Sequence, residues 1–205
     1  VLSNSKHGAT SPGLDASHIL VKRASCQIEN YEQLGSAITV PVTMLKACER
    51  SGVEITQGRC RFATTGKEMR VDSLLVKTML SEIRGDALLT MSLLDSIPKV
   101  SANLLASAKI GLGDISMLYP NLKPILDQIP QSRPIEIHAN IGGNERLMKV
   151  KTLTAALPQY ASAKAEGDIE NALDTKKLAA DINFDGEFLN LDFAKPMALN
   201  KEMQK

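Results

Sequence analysis

Ile135-Glu136-Ile137-His138-Ala139-Asn140-Ile141-Gly142-Gly143-Asn144 is the stretch that decides the fold. Ile135, Ile137, Ala139 and Ile141 occupy every second position, and Glu136, His138 and Asn140 fill the gaps. A helix would mix the two sets, because it brings together residues three and four apart. A strand separates them, since successive side chains point to opposite faces. The segment therefore predicts a strand with one apolar and one polar face, closed by a hairpin at Gly142-Gly143-Asn144.

The same period recurs on both sides of it. Downstream, Leu178, Ala180, Ile182 and Phe184 alternate with Lys177, Asp181, Asn183 and Asp185, and Leu189, Leu191 and Phe193 alternate with Asn190 and Asp192. Upstream, Ala102, Leu104, Ala106, Ala108 and Ile110 alternate with Asn103, Ser107 and Lys109. Ile83, Ala87, Leu89 and Met91 alternate with Arg84, Asp86, Thr90 and Ser92. Met69-Arg70-Val71-Asp72 leads into another apolar run, and residues 18–24, 37–42 and 53–62 read as strands with a bulge near Gly58. Turns are expected at Thr64-Thr65-Gly66-Lys67, at Asp185-Gly186 and beside Gly167. About ten to thirteen strands result, with no alternation of strand and helix that would build a doubly wound sheet.

One insert breaks the pattern. Asp114 is placed to cap a helix that Pro120 stops. Asn121 is placed to cap a second series with Leu122, Ile125, Leu126 and Ile129 on one stripe. The organisation expected is a flexible lead-in over residues 1–13, a β-repeat region over 14–195 with the helical insert at 114–129, and a truncated tail over 196–205. The start and end of the chain read as those of a fragment of a longer protein.

Composition narrows the function. Lys and Arg number 24 against 23 Asp and Glu, and the two halves of the chain carry +2 and −1. Nucleic-acid binding is not expected without a basic footprint or stacking aromatics, which are 3% of residues with no Trp. No run of 18 apolar residues offers a membrane-spanning helix. Cys26, Cys48 and Cys60 lack metal-ligand spacing and are expected to be reduced and mostly buried, with a single disulfide as the alternative.

Catalytic signatures are missing. Ile110-Gly111-Leu112-Gly113-Asp114 holds a GxG, but Ser116 replaces the third glycine, so a strand-to-helix turn is the reading. Asp168 and Glu170 have no identifiable acid–base partner and read as a solvated edge, His138 stands alone on a polar face, and His18 reads as structural. The expectation is a non-enzyme with no metal and no cofactor. The aliphatic faces themselves fit two architectures: the core of a closed sandwich, or a lipid-holding groove.

Several segments resemble the TamB/AsmA-like family of bacterial envelope proteins, the translocation and assembly module inner-membrane subunit and its relatives, most of all its Bacteroidetes-type members. These are Cys48-Glu49-Arg50-Ser51-Gly52-Val53-Glu54-Ile55, then Met69 to Thr78 followed by Ser81-Glu82-Ile83-Arg84-Gly85-Asp86-Ala87, and the insert Asp114-Ile115-Ser116-Met117-Leu118-Tyr119-Pro120. The closing section is the most similar, running from Pro134-Ile135-Glu136 through Ala165-Glu166-Gly167-Asp168-Ile169-Glu170-Asn171 to Leu178-Ala179-Ala180-Asp181-Ile182-Asn183-Phe184.

The resemblance implies a mainly β fold: an elongated, curled, taco-like antiparallel sheet with a hydrophobic concave groove and one short helical insert. It implies a periplasmic segment that shields phospholipid acyl chains between the inner and outer membranes, with outer-membrane assembly proteins (BAM or TamA-like) as further partners. The groove lining expected is Ala87, Leu89, Met91, Leu104, Ala106, Ala108, Ile110, Ile135, Ile137, Ala139, Ile141, Leu178, Ala180, Ile182, Phe184, Leu189, Leu191 and Phe193. A scaffold that pairs nascent strands, or a secreted β-sandwich binding module, are the alternatives, and the isolated chain is expected to dimerise through open sheet edges.

Overall fold

The computed structural model describes residues 13–14, 19–92, 99–129, 133–172, 174 and 176–189. The chain is mainly β. Eleven strands form one open, antiparallel sheet: β1 (Val21–Ile28), β2 (Glu32–Leu34), β3 (Ala37–Glu49), β4 (Glu54–Thr64), β5 (Glu68–Lys77), β6 (Glu82–Ser92), β7 (Lys99–Ile110), β8 (Ile135–Asn144), β9 (Leu147–Leu157), β10 (Ala161–Glu170) and β11 (Ala179–Phe188). Their order in the sheet is the order in the chain, except that β1 and the short β2 both pair with β3. No second sheet covers either face among the described residues, so the closed sandwich is not the architecture.

The sheet curls because its strands are unequal in residue count. Val42 pairs with Cys60 and Leu45 with Gly58, which leaves one extra residue on β3. The next pair, Ala47 with Ile55, leaves one extra on β4. Another extra residue lies on β5, where Ser73 adopts φ 53° and its N–H donates to the Asp86 carboxylate at 2.7 Å. A further extra residue, Lys151, lies on β9. Each bulge bends its strand and adds right-handed twist. The bulge expected near Gly58 is therefore present.

The insert between β7 and β8 holds α1 (Leu112–Leu118), a 3₁₀ turn at Pro120–Leu122 and α2 (Lys123–Leu126). It caps one end of the strands. Asp114 does not cap the helix as expected. It is a first-turn residue of α1, and its buried carboxylate reaches out of the helix to the β5–β6 turn. There it accepts the Ser81 hydroxyl at 2.5 Å and the Thr78 hydroxyl. Ser81 Oγ in turn accepts the Gly111 N–H at 3.0 Å. Gly111 and Gly113 sit tight against Leu80, where a Cβ on either would come within 2.5 Å of that side chain. The GxG is thus a close-packing device at a strand-to-helix turn. Asn121 caps nothing, and of the stripe expected on the second series only Leu126 is buried, with Leu122 and Ile125 exposed.

Three turns differ from expectation. Asp185-Gly186 lies inside β11, and Gly167 lies inside β10 opposite Ile182. Gly167 has φ +154°, and a Cβ there would stand 2.1 Å from the Asp181 carbonyl oxygen. This glycine is needed for close backbone approach, which a sequence reads as a turn. Gly142-Gly143-Asn144 ends β8, and the chain reverses at the two residues that follow, Glu145-Arg146. The expected turn at residues 64–67 is present. His18, most of the 1–13 lead-in and the 196–205 tail lie outside the described residues.

Candidate functional site

Antiparallel pairing puts directly opposed residues on the same face, so the register traces what each face carries from edge to edge. Cys26, Leu45, Gly58, Val76, Ile83, Ala108, Ile137, Ala155, Ala163 and Gly186 are successive partners, one from each of ten strands. A parallel row runs Val40, Phe62, Val71, Ala87, Leu104, Ile141, Val150, Gly167, Ile182. Neither row contains a charged residue. Nine strand spacings make the first row roughly 43 Å long.

Fourteen of the eighteen expected lining residues fall on this face. Ala108 and Ile137 belong to the first row. Ala87, Leu104, Ile141 and Ile182 belong to the second. Ala106 and Ala139 pair in a third row, which Phe184 reaches through Ala165 and Leu153. Leu89 and Ala180 lie in a fourth, Met91 pairs with Val100, and Ile110 pairs with Ile135. Leu178 and Leu189 stand just outside β11 and are exposed, Leu178 with the same parity as Ala180 and Leu189 with the opposite one. Leu191 and Phe193 lie outside the described residues.

The face also takes residues that the period-two reading left out. Ala161, Ala163 and Ala165 alternate with Ser162, Lys164 and Glu166 on β10, a signal present in the sequence but made faint by the small side chain of alanine. With it the apolar face spans every strand in the path.

This face is half-open. From β6 to β10 its members are half-buried or exposed, and only Val150 is buried. Across the described residues the buried apolar side chains are Leu75, Leu112, Leu126 and Val150. Side chains in one layer shelter one another from the sides and leave their tips to the solvent. Large aromatic side chains are scarce on it: Phe62 sits in β4, and Phe184 and Phe188 on the outermost strand.

The opposite face carries the charged residues, with Leu75, Leu88 and Leu105 among them. Lys77, Glu82, Lys109 and Glu136 are successive cross-strand partners of alternating sign. Lys77 Nζ lies 2.8 Å from Glu82 and Lys109 Nζ lies 2.9 Å from Glu136. Hydrogen bonds from Arg84 and then Lys77 pull the Glu82 carboxyl down to about 2. A shallow depression of about 400 Å³ opens on this face among Arg84, Asp86, Ser107, His138, Asn140 and Thr152. It gathers charges of both signs around an exposed His138, and no charged member is enclosed. Leu105, 56% exposed, lines it as well.

The remaining chemistry-bearing residues do not converge. Among the described residues, no three His, Cys, Asp or Glu side chains come together as a metal site requires. Asp168 and Glu170 lie within β10, where Asp168 faces Lys149 and Asp181. All three cysteines are free. Cys26 is exposed because β1 is an outer strand, contrary to the burial expected of it, while Cys48 and Cys60 are half-buried. Burial pushes the Cys60 thiol up, with neighbouring Cys26 adding to it.

Among the described residues no helix is long and apolar enough to cross a membrane. Compared with protein-family models, curated proteins and solved structures, the chain finds a match in none of the three.

Proposed function

We propose that the apolar face is a lipid-holding surface, and that the chain is a periplasmic segment of a TamB/AsmA-like conduit for phospholipid between two membranes. The observation that carries this reading is the row from Cys26 to Gly186: ten apolar or glycine residues, one per strand, with no charge and no covering layer among the described residues. Water on such a face is costly, and each methylene taken from water gains about 0.8 kcal/mol. An acyl chain laid across the strands finds the same surface at every step, so it is held without a specific contact and slides without a deep trap. One leaflet's hydrocarbon is roughly 15 Å thick, half of a bilayer core, so the row is long enough for acyl chains in series. The polar face, with its alternating ion pairs, is the side suited to water.

The direct test is mass spectrometry of gently purified protein. Co-purified phospholipid, released by detergent and present in stoichiometric amount, is the expected result. Protein free of lipid after purification from membranes rich in it removes this reading.

A second reading has its own observation. Among the described residues β1 and β11 are the outer strands, and both are exposed along their whole length. An unpaired edge is a template for another strand, which supports a scaffold for outer-membrane strands. Such a scaffold needs the edges and not the face, so edge substitutions would abolish it while lipid content stays unchanged.

A further inference from the structure

We infer that β10 is the floor of a trough in the apolar face, and that the trough seats one acyl chain of a phospholipid lengthwise, with the head group at the β9–β10 turn. The inference rests on the lipid-holding reading and adds to it a seat, an orientation and a head-group contact.

The trough follows from side-chain size. On this face β10 presents Ala161, Ala163, Ala165 and Gly167, none larger than a methyl group. Its neighbours on either side are larger. Ala161 lies between Leu157 and Phe188, Ala165 between Leu153 and Phe184, and Gly167 between Val150 and Ile182. Ala163 lies between Ala155 and Gly186, a gap in the β11 wall. The Phe184 ring fills that gap by lying back along its own strand, with Cε1 3.2 Å from where a Cβ on Gly186 would stand. One glycine thus lets a ring complete the wall and leaves the space above β10 clear.

The dimensions suit a single hydrocarbon chain. β9 and β11 stand two strand spacings apart, roughly 9.5 Å. A chain on the midline is then about 4.7 Å from each wall, close to apolar contact distance, and a second chain does not fit beside it. From Ala161 to Gly167 the floor runs about 20 Å, against the roughly 15 Å that one leaflet's hydrocarbon spans. The next floor position, Ile169, lies between Met148 and Ala180 and closes that end.

The other end is open and carries a cation. There the chain turns through Gln159 at φ 73°, and Arg133, just ahead of β8, donates Nη2–H to Gln159 Oε1 at 3.1 Å. Arg133 is exposed and has no carboxylate partner among the described residues. Its other N–H groups suit a phosphodiester, which a guanidinium binds as a fork. An uncharged trough with a guanidinium at its mouth is complementary to an amphiphile with an anionic head. A phospholipid fits better than a fatty acid, because the apolar face continues past the β9 wall over Ile137, Ala139 and Ile141. That surface takes the second acyl chain. A lipid that crosses the strands elsewhere turns here to lie along one of them.

The test loads the full chain from phosphatidylglycerol vesicles and measures the lipid retained after size exclusion by mass spectrometry, with circular dichroism to confirm the fold. Ala163→Phe and Ala165→Phe fill the trough and are expected to lose most of the retained lipid. Ala108→Phe, on the same face outside the trough, should retain it like wild type. Arg133→Gln should retain about tenfold less, the effect of one hydrogen bond to a charged group, and Arg133→Lys should recover part of it. In wild type, phosphatidylglycerol with a diazirine at the chain terminus should cross-link to residues 165–169, and with the diazirine beside the ester to residues 157–161. Wild type that retains no phosphatidylglycerol removes the lipid reading and the seat with it. Retained lipid that survives both trough variants, an equal loss in Ala108→Phe, or cross-links spread evenly from β3 to β9 overturns the seat alone. Full retention by Arg133→Gln overturns the head-group contact, and fatty acid bound in place of phosphatidylglycerol overturns the choice of ligand.

Discussion

The Asp114 carboxylate accepts the Ser81 hydroxyl at 2.5 Å, joining the helical insert to a turn 33 residues earlier in the chain. Asp114 is buried, and the Thr78 hydroxyl also donates to it. Asp114→Ala leaves both hydroxyls without their acceptor, at a cost of about 2 kcal/mol. Thermal unfolding should fall by roughly 4–8 °C for a chain of this size, and residues 112–126 should become open to limited proteolysis. An unchanged midpoint with a protected insert would show that the packing of Leu112 alone holds it.

Ile137 and Ile182 lie on the apolar face, Ile137 in the first row and Ile182 in the second, and neither is buried. In a packed core, Ile137→Asp or Ile182→Asp would bury an unpaired charge and unfold the domain. Here the carboxylate reaches water, so each variant should keep its strand signal in circular dichroism. Each should also lose most of its bound phospholipid. Asn183→Asp, on the polar face opposite Glu166, should change neither. Unfolding of Ile182→Asp, or full lipid content in both isoleucine variants, contradicts the half-open face as a lipid surface.

Gly167→Ala places a methyl group 2.1 Å from the Asp181 carbonyl oxygen. Backbone must move, and the strand that can move is β11, which has one neighbour among the described residues. Hydrogen exchange should accelerate at the amides of Ala179–Phe188 that pair with β10, while β5 to β7 keep their protection. Gly35→Ala is the contrast, since nothing lies within 4 Å of its Cβ position and its cost is confined to φ +60°. Equal protection of β11 in both variants would refute the steric account.

Glu82 titrates near 2 because Arg84 and Lys77 hydrogen-bond its charged form. A carboxyl with a depressed folded pKa stabilises the fold fully above its ordinary value of 4.5, and that contribution disappears as pH falls toward about 2. Stability should therefore decline over this window, and Glu82→Gln should flatten that part of the profile. The effect is small because the pair faces water. A carboxyl resonance of Glu82 that titrates near 4.5 in NMR would remove the basis for it.

Alternation made the strands legible because a single-layer sheet with two unlike faces is what period two encodes. Ile135 to Ile141 and Ala102 to Ile110 therefore settled onto the face their parity assigns. Glycine misled where its role was tertiary: Gly167 and Gly186 carry the signature of a turn, yet each sits mid-strand. Parity also gives no count of layers. The same Ile137 and Ala108 would line a closed sandwich, and only the absence of a second sheet among the described residues separates the cases. Leu75 shows the limit from the other direction. The extra residue on β5 rotates it away from Leu74 and onto the face of Arg59 and Arg84, where it is buried. No pattern in Leu74-Leu75-Val76 announces which of the three turns away.

Strand order that follows chain order has a kinetic meaning. Apart from β2, each strand finds its partners among its nearest sequence neighbours, so every hairpin can form before the next has been reached. Low contact order of this kind favours rapid assembly, and the sheet behaves as a one-dimensional array whose stability is a sum of neighbour terms. Nucleation is possible at any hairpin and growth proceeds outward from it. Pulled from its ends, such a molecule yields strand by strand from the margins inward, with the centre unaware of what the edges have lost. A chain delivered end first through a membrane pore can fold as it emerges, and none of it has to wait for the last residue.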